Sequence, residues 1–334
     1  TAVHLAASGQ RVLVTSADPA HSLADSMDVA LASSPTEVRP RCWAQQLDAR
    51  ERLEESWNDI REWMLEVLDW AGVAALEAEE LAVVPGLDEL FALTELESLV
   101  ASGDYDTIVV DCAPTAETIR LLSLPDILSW YMDRLFPASR RLTRMVGPVL
   151  HRFTSLPVAD DAVFAAGQRF YDQLDGVRRI LSDPAVTSAR LVVNPERMVI
   201  AEARRTFTYL SLFGYQVDAV VVNRVLPDAA ADAWFDDWRR SQEEHLVTIQ
   251  ESFAPLPVFR AEHAGGEVLG LDALADFAVR LWADTDPSAR LVEDQPLRIC
   301  RDGDDVVLSI ELPFTERDEV DLTRNADELF IAVG

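Results

Sequence analysis

The chain has 334 residues, about half of them apolar, enough for one large domain or for one large and one small domain. Its 29 basic residues stand against 58 acidic ones, and a formal charge of −29 repels a phosphodiester backbone, so nucleic acid is not an expected partner. No stretch approaches the roughly 18 uninterrupted apolar residues of a membrane span, and Cys42, Cys112 and Cys300 are too dispersed for a C-x-x-C pair, which argues against a zinc ribbon and suits a reducing cytoplasm.

Residues 3–8 read as a helix closed by Gly9, and a strand follows at about 11–16. Asp18 can cap the next helix, with Pro19 in its first turn. Residues 50–80 are helical and acidic, with Trp57, Ile60, Met64, Val67 and Leu68 on one apolar face. A strand at 107–111 leads to helices near 115–123, 126–136, 139–153 and 160–182. Strand 190–193 ends at Asn194, and a helix covers 197–213. Strand 217–222 ends at Asn223-Arg224, and a long acidic helix spans 230–252. A short strand near 256–259 precedes a loop from His263 to Gly270 and a helix at 271–283. This alternation predicts an α/β fold with a doubly wound, mostly parallel sheet. Residues 284–296 are polar and read as a linker. Beyond it the hydrophobic period becomes two, which predicts a hairpin from Leu297 to Leu312 and at least one more strand between Asp321 and Val333. The expected organisation is thus 1–283, linker 284–296, and a small, incomplete antiparallel β segment at 297–334.

Asp18, Asp111, Asn194 and Asn223 all fall at the carboxyl ends of expected parallel strands, where open α/β sheets bind ligands. Singly, Asp18-Pro19 and Asn194-Pro195 are ordinary helix starts. Together, four polar residues at one sheet edge describe a site, and the carboxylates Asp18 and Asp111 suit a nucleoside triphosphate with its magnesium.

The words Asp18-Pro19-Ala20-His21-Ser22-Leu23-Ala24-Asp25 resemble the switch I segment of the arsenite-pump (ArsA-like) and tail-anchored-protein-targeting ATPases. Asp111-Cys112-Ala113-Pro114-Thr115 and the residues up to Pro125 resemble their switch II. The resemblance covers residues 1–283 and implies a P-loop NTPase fold and a homodimer that closes over ATP and magnesium. By it, Asp18 polarises the attacking water, Asp111 holds magnesium through a water, and Pro114 and Thr115 bend switch II near the γ-phosphate. Asn223 matches the asparagine that reads adenine, and Pro257, Val258 and Phe259 match the loop that lies against the base. Asn194 counts among the nucleotide-binding positions, in a segment to Arg197 where the neighbouring subunit's contacts would fall. The family's phosphate loop carries lysines, whereas every one of the 29 cations here is arginine. That loop is expected to lie before Thr1, so that the chain alone would be inactive.

The sequence departs from the family pattern at Ser22, where an asparagine is usual, and at Ala116-Glu117, which replace a Gly-His pair. The zinc-binding cysteine pair of the targeting ATPases and the arsenite-binding cysteines of the pumps have no counterparts. The tail, through Glu311-Leu312-Pro313 and the alternating Leu329 to Val333, resembles the small-heat-shock-protein-like (crystallin-like) appendage of one branch of the family. From Ile127 to Phe153, apolar residues at helical spacing, among them Leu142, Met145, Val149 and Phe153, either pack into the chain's own core or line a groove for an apolar client helix. The sequence reading is therefore a cytoplasmic ATP-hydrolysing enzyme coupled to an apolar client or partner. The alternatives are a non-catalytic chaperone or scaffold that retains the fold, and an arsenite-pump ATPase subunit.

Overall fold

The computed structural model describes residues 1–16, 22–46, 65, 87–112, 161–227, 235–303, 305–325 and 328–333. The chain divides into two compact units, Thr1–Ile180 and Leu181–Gly334.

In the first unit the chain runs α1 (Ala2–Ala7), β1 (Val12–Ser16), α2 (Ser22–Met27), β2 (Thr36–Arg39), β3 (Cys42–Gln46), α3 (Leu87–Ser102), β4 (Thr107–Asp111) and most of α4 (Asp161–Ser182). The sheet order is β2-β3-β1-β4, with β1 parallel to both neighbours and β2 antiparallel to β3. All five residues of β1 are buried, as a central parallel strand covered by helices requires. One such cover is α1, whose Ala2, Val3, Leu5 and Ala6 are buried. The helix stops at Gly9, whose φ of 102° is costly for any residue with a Cβ. Arg11 then ties the start of β1 to the turn before β4: its N–H donates to the Asp106 carboxylate at 2.8 Å and its Nη2 lies 2.7 Å from Asp106 Oδ1. Strands β2 and β3 and helix α3 had no counterpart in the sequence reading. The helices expected within 50–80 (residue 65 apart) and at 115–123, 126–136 and 139–153 lie outside the described residues.

The second unit repeats strand and helix regularly: β5 (Ala189–Val193), α5 (Arg197–Leu212), β6 (Val217–Val225), α6 (Asp236–Phe253), β7 (Val258–Glu262) and α7 (Leu271–Trp282). The three strands are parallel in the order β5-β6-β7. Central β6 is buried from Val217 through Val222. Around it lie the buried Ile200 and Ala203 of α5, Ile249 and Phe253 of α6, and a cluster of Val221, Ala261, Ala278 and Trp282. Strand β6 runs three residues beyond the expected 222, and β7 begins and ends later than expected.

The segment read as a linker is tied down. Arg190 on β5 donates to the carbonyls of Pro287 at 2.7 Å and Ala289 at 3.3 Å, while the Leu291 N–H reaches Asp218 on β6 at 3.4 Å. Two antiparallel hairpins follow, β8 (Leu297–Asp302) with β9 (Asp305–Ile310), and β10 (Val320–Asn325) with β11 (Glu328–Val333). Between them the Thr208 hydroxyl donates to the Pro313 carbonyl at 2.6 Å, and Phe314 packs edge-on against Phe207 and Phe253.

Candidate functional site

Register builds the first unit's carboxyl edge. Ser16 lies opposite Gln46 of β3 on one side and Asp111 of β4 on the other. Residues in register on neighbouring strands share a face and stand about 4.8 Å apart. Three adjacent parallel strands thus end in a row of polar side chains, Gln46, Ser16 and Asp111. Ser16 and Gln46 are buried, and Asp111 is exposed. On the other face, buried Gln45 donates to the buried Thr15 hydroxyl at 3.3 Å. Asp18 follows Ser16 by two residues and lies outside the described residues, as do Pro114 and Thr115. The register brings together the strand ends from which Asp18 and Asp111 emerge.

A solvent-accessible carboxylate at a strand end fits a hydrated magnesium ion, which takes one or two carboxylates together with water and phosphate oxygens. Cys112 is accessible as a residue, yet the protein packed around its sulfur, with a smaller contribution from Asp111, pushes the thiol up to about 11. It is a neutral thiol near pH 7, and a neutral thiol is neither a good nucleophile nor a soft-metal ligand.

In the second unit, Val193 pairs with Val222, so Asn194 and Asn223 stand side by side at the carboxyl edge of β5 and β6. Both are half-buried. The Asn194 carbonyl accepts the Glu196 N–H at 2.8 Å and turns the chain into α5. Asn223 Oδ1 accepts the N–H of Arg224 at 2.9 Å. Pro257, Val258 and Phe259 are not at this edge. The Pro257 carbonyl accepts the Val220 N–H at 3.0 Å, Val258 and Phe259 pair with Val220 and Val221, and the Phe259 ring packs on Trp282 at 4.9 Å. They therefore enter the sheet about three residues, roughly 10 Å, before the level of Asn223. Val258 and Phe259 stand in β7, which overlaps the short strand expected near 256–259, and Phe259 packs against the core. The segment that leaves β7 at the carboxyl edge is 263–270, where the His263 N–H donates to Val225 and His263 Nδ1 accepts the Gly265 N–H at 3.1 Å.

The sequence analysis gives Ser16 and Gln46 no place in the site and reads 263–270 as a loop only. For the first two, the signal was the polar ending of the apolar runs Val12–Ser16 and Cys42–Gln46. Among the described residues no helix is long and apolar enough to cross a membrane.

Residues 1–283 match the family described as anion-transporting ATPase, and residues 303–334 match the HSP20-like domain found in ArsA. A relative in Chlorobaculum tepidum, provisionally named an arsenical pump-driving ATPase, is 35% identical over 339 residues, covering 100% of this chain and 83% of its own length. A protein of Aquifex aeolicus with a similar provisional name is 33% identical over 100% of this chain and 87% of its own. A Chlamydomonas reinhardtii ATPase is 30% identical over 84% of this chain and 78% of its own. The mixed α/β architecture with mostly parallel sheets is consistent with a P-loop NTPase fold. The chain belongs to the anion-transporting, ArsA-type ATPase family.

Proposed function

We propose that this protein binds ATP with magnesium at the carboxyl edge of β1 and β4 and hydrolyses it as a cytoplasmic homodimer, coupling closure to an apolar client or partner. The observation that carries the reading is the register of Ser16 with Asp111. It makes the ends of β1 and β4 immediate neighbours, and Asp18 follows the end of β1 by two residues in the sequence. Asp18 then orients the attacking water by accepting its proton in a hydrogen bond, an effect of positioning and electrostatics. Asp111 holds magnesium through water, and Pro114 and Thr115 shape the backbone beside the γ-phosphate. The metal, when bound, offsets charge on the phosphate oxygens. Asn223 and its neighbour Asn194 hold the base end. With a formal charge of −29, the chain offers no long-range attraction for a polyanion, so affinity rests on local donors and on the metal.

Asp18→Asn in the full-length protein is expected to lower turnover by at least ~100-fold while ATP binding is largely kept. Steady-state phosphate release and nucleotide titration check this, and unchanged turnover removes Asp18 from the chemistry. Sedimentation with and without ATP tests the dimer. The client groove is assigned to Ile127–Phe153, outside the described residues. The names carried by the relatives favour a second reading, an arsenical pump-driving subunit. Stimulation of phosphate release by arsenite would select it.

A further inference from the structure

The end of β6 is held by a side chain to which the proposed function gives no role. Between Val222 and Val225 the ladder to β7 slips: β6 advances three residues while β7 advances two, from Arg260 to Glu262. The extra residue is a β-bulge, and within it Arg224 lies in the left-handed region at φ 56°. A bulge leaves backbone groups without ladder partners. Gln242, in the second turn of α6, takes that place. Its Nε2 donates to the Arg224 carbonyl at 3.2 Å, and its Oε1 accepts the Leu226 N–H at 2.7 Å. The residue is only 8% exposed. One amide therefore clamps the backbone on both sides of Val225, whose carbonyl takes the His263 N–H at 2.7 Å. Asn223 is the next residue upstream, and its Oδ1 is fixed by the N–H of that same Arg224. Where the Asn223 amide points thus depends on the left-handed turn, and Gln242 holds the turn. Asn223 keeps a second lone pair on Oδ1 and both Nδ2 hydrogens, the set an asparagine uses on the N6 and N7 edge of adenine.

We propose that Gln242 is a positioning residue for base recognition: it holds the bulge that aims the Asn223 amide at the purine of the bound nucleotide. The inference rests on the reading of Asn223 as the base contact. Removing the clamp orphans a carbonyl and an N–H and lets a non-glycine residue relax out of a left-handed conformation, which reorients Asn223.

The test titrates the full-length protein, as wild type and Gln242→Leu, with magnesium ATP and with magnesium tripolyphosphate, which has the phosphates and no base. ATP is expected to bind about tenfold more weakly to the variant, on the scale of one or two lost hydrogen bonds. Tripolyphosphate affinity should stay within about twofold, since that probe never meets Asn223. Adding Gln242→Leu to Asn223→Ala should weaken ATP no further, because a residue acting through Asn223 has nothing left to aim. Gln242→Glu keeps the shape and the acceptor but cannot donate to the Arg224 carbonyl when ionised; it is expected to fall between, and it carries the test if the leucine variant does not fold. Unchanged ATP affinity, equal losses for both ligands, or additive losses in the double variant overturn the inference while leaving the ATPase reading standing. Wild type that binds neither ligand overturns both.

Discussion

The buried pair of Asp218 and Arg190 gives the sharpest test of how the second unit is held together. Asp218 is fully buried on β6, and Arg190 on β5 keeps only 18% of its side chain exposed. Asp218 Oδ1 accepts Arg190 Nε at 3.0 Å, and Oδ2 accepts Arg190 Nη2 at 3.3 Å, the Ser188 hydroxyl at 2.9 Å and the Leu291 N–H at 3.4 Å. Arg190 also lies 5.2 Å over the Trp282 ring. Asp218→Ala leaves the guanidinium without its counter-charge and orphans the Leu291 N–H. Breaking a buried pair costs about 3–5 kcal/mol, and the partial exposure of Arg190 places this one near the lower end, about 3 kcal/mol. Asp218→Asn keeps the shape and part of the bonding, at a cost of about 1.5–3 kcal/mol. Urea unfolding followed by tryptophan emission reads the change; with a slope of about 1–3 kcal/mol/M, a 3 kcal/mol loss moves the midpoint by roughly 1–3 M. Adding Arg190→Met removes the second charge and should recover about 1 kcal/mol of the loss, the remainder being about 1 kcal/mol for each carbonyl, Pro287 and Ala289, that loses its donor. A midpoint shift under ~0.3 M for Asp218→Ala, or a double variant no better than the single, would refute the reasoning.

Phe253 has no exposed surface and packs against Phe207 and Phe314 at 6.0 and 5.7 Å. Phe253→Ala is expected to cost about 3–5 kcal/mol in a urea melt and to speed proteolysis near Phe314; an unchanged cleavage rate there would separate that segment from the core. In the first unit, the Arg11 side chain, and then its backbone N–H, hold the Asp106 carboxyl below the usual carboxylate range. A lowered carboxyl stabilises the fold above its unfolded value and loses that contribution as pH falls through the folded one. The melting-temperature gap between wild type and Asp106→Asn should therefore be present near neutrality and close in acid. A gap that persists in acid would sink this assignment. The effect is small, because both partners are over two-fifths exposed.

The second unit was legible because its signals repeat: each apolar run of β5, β6 and β7 is followed by a helix of amphipathic period. In β6 the valines at 220–222 admit only a buried strand. The hairpin β8–β9 was legible through period-two alternation around Asp302-Gly303, with Gly303 at φ 64°. Strand β3 escaped notice since Cys42-Trp43-Ala44-Gln45-Gln46 mixes small, aromatic and amide residues. Its burial comes from two strand neighbours that sequence alone does not supply. The ties of segment 284–296 were illegible for a related reason. Asp286, Pro287 and Ser288 are polar and turn-prone, but a guanidinium 97 residues earlier in the chain fastens them through the Pro287 carbonyl. At the site, Asp111 and Asn194 were legible as strand ends. The bulge at Arg224 was not, because a left-handed arginine leaves no local mark; Gln242, a partner 18 residues away, completes it.

Strand β6 carries both kinds of long-range tie. Near its start Asp218 anchors the segment after α7; near its end Asn223 and Arg224 take their geometry from Gln242 on α6. The two points are five residues apart, roughly 17 Å along the strand. Between them lie Ala219, Val220, Val221 and Val222, all buried, with the three valines held in register by neighbours on both sides. A strand so constrained cannot slide by half a residue, and a full one-residue slip would turn its whole buried set over. Loss of the Asp218 anchor should therefore lower global stability without re-aiming Asn223, whereas loss of the Gln242 clamp should re-aim Asn223 at a smaller cost in stability. The two perturbations act on one strand and predict opposite rankings in a melt and in a nucleotide titration, so measuring both variants in both assays distinguishes a scaffold effect from a recognition effect.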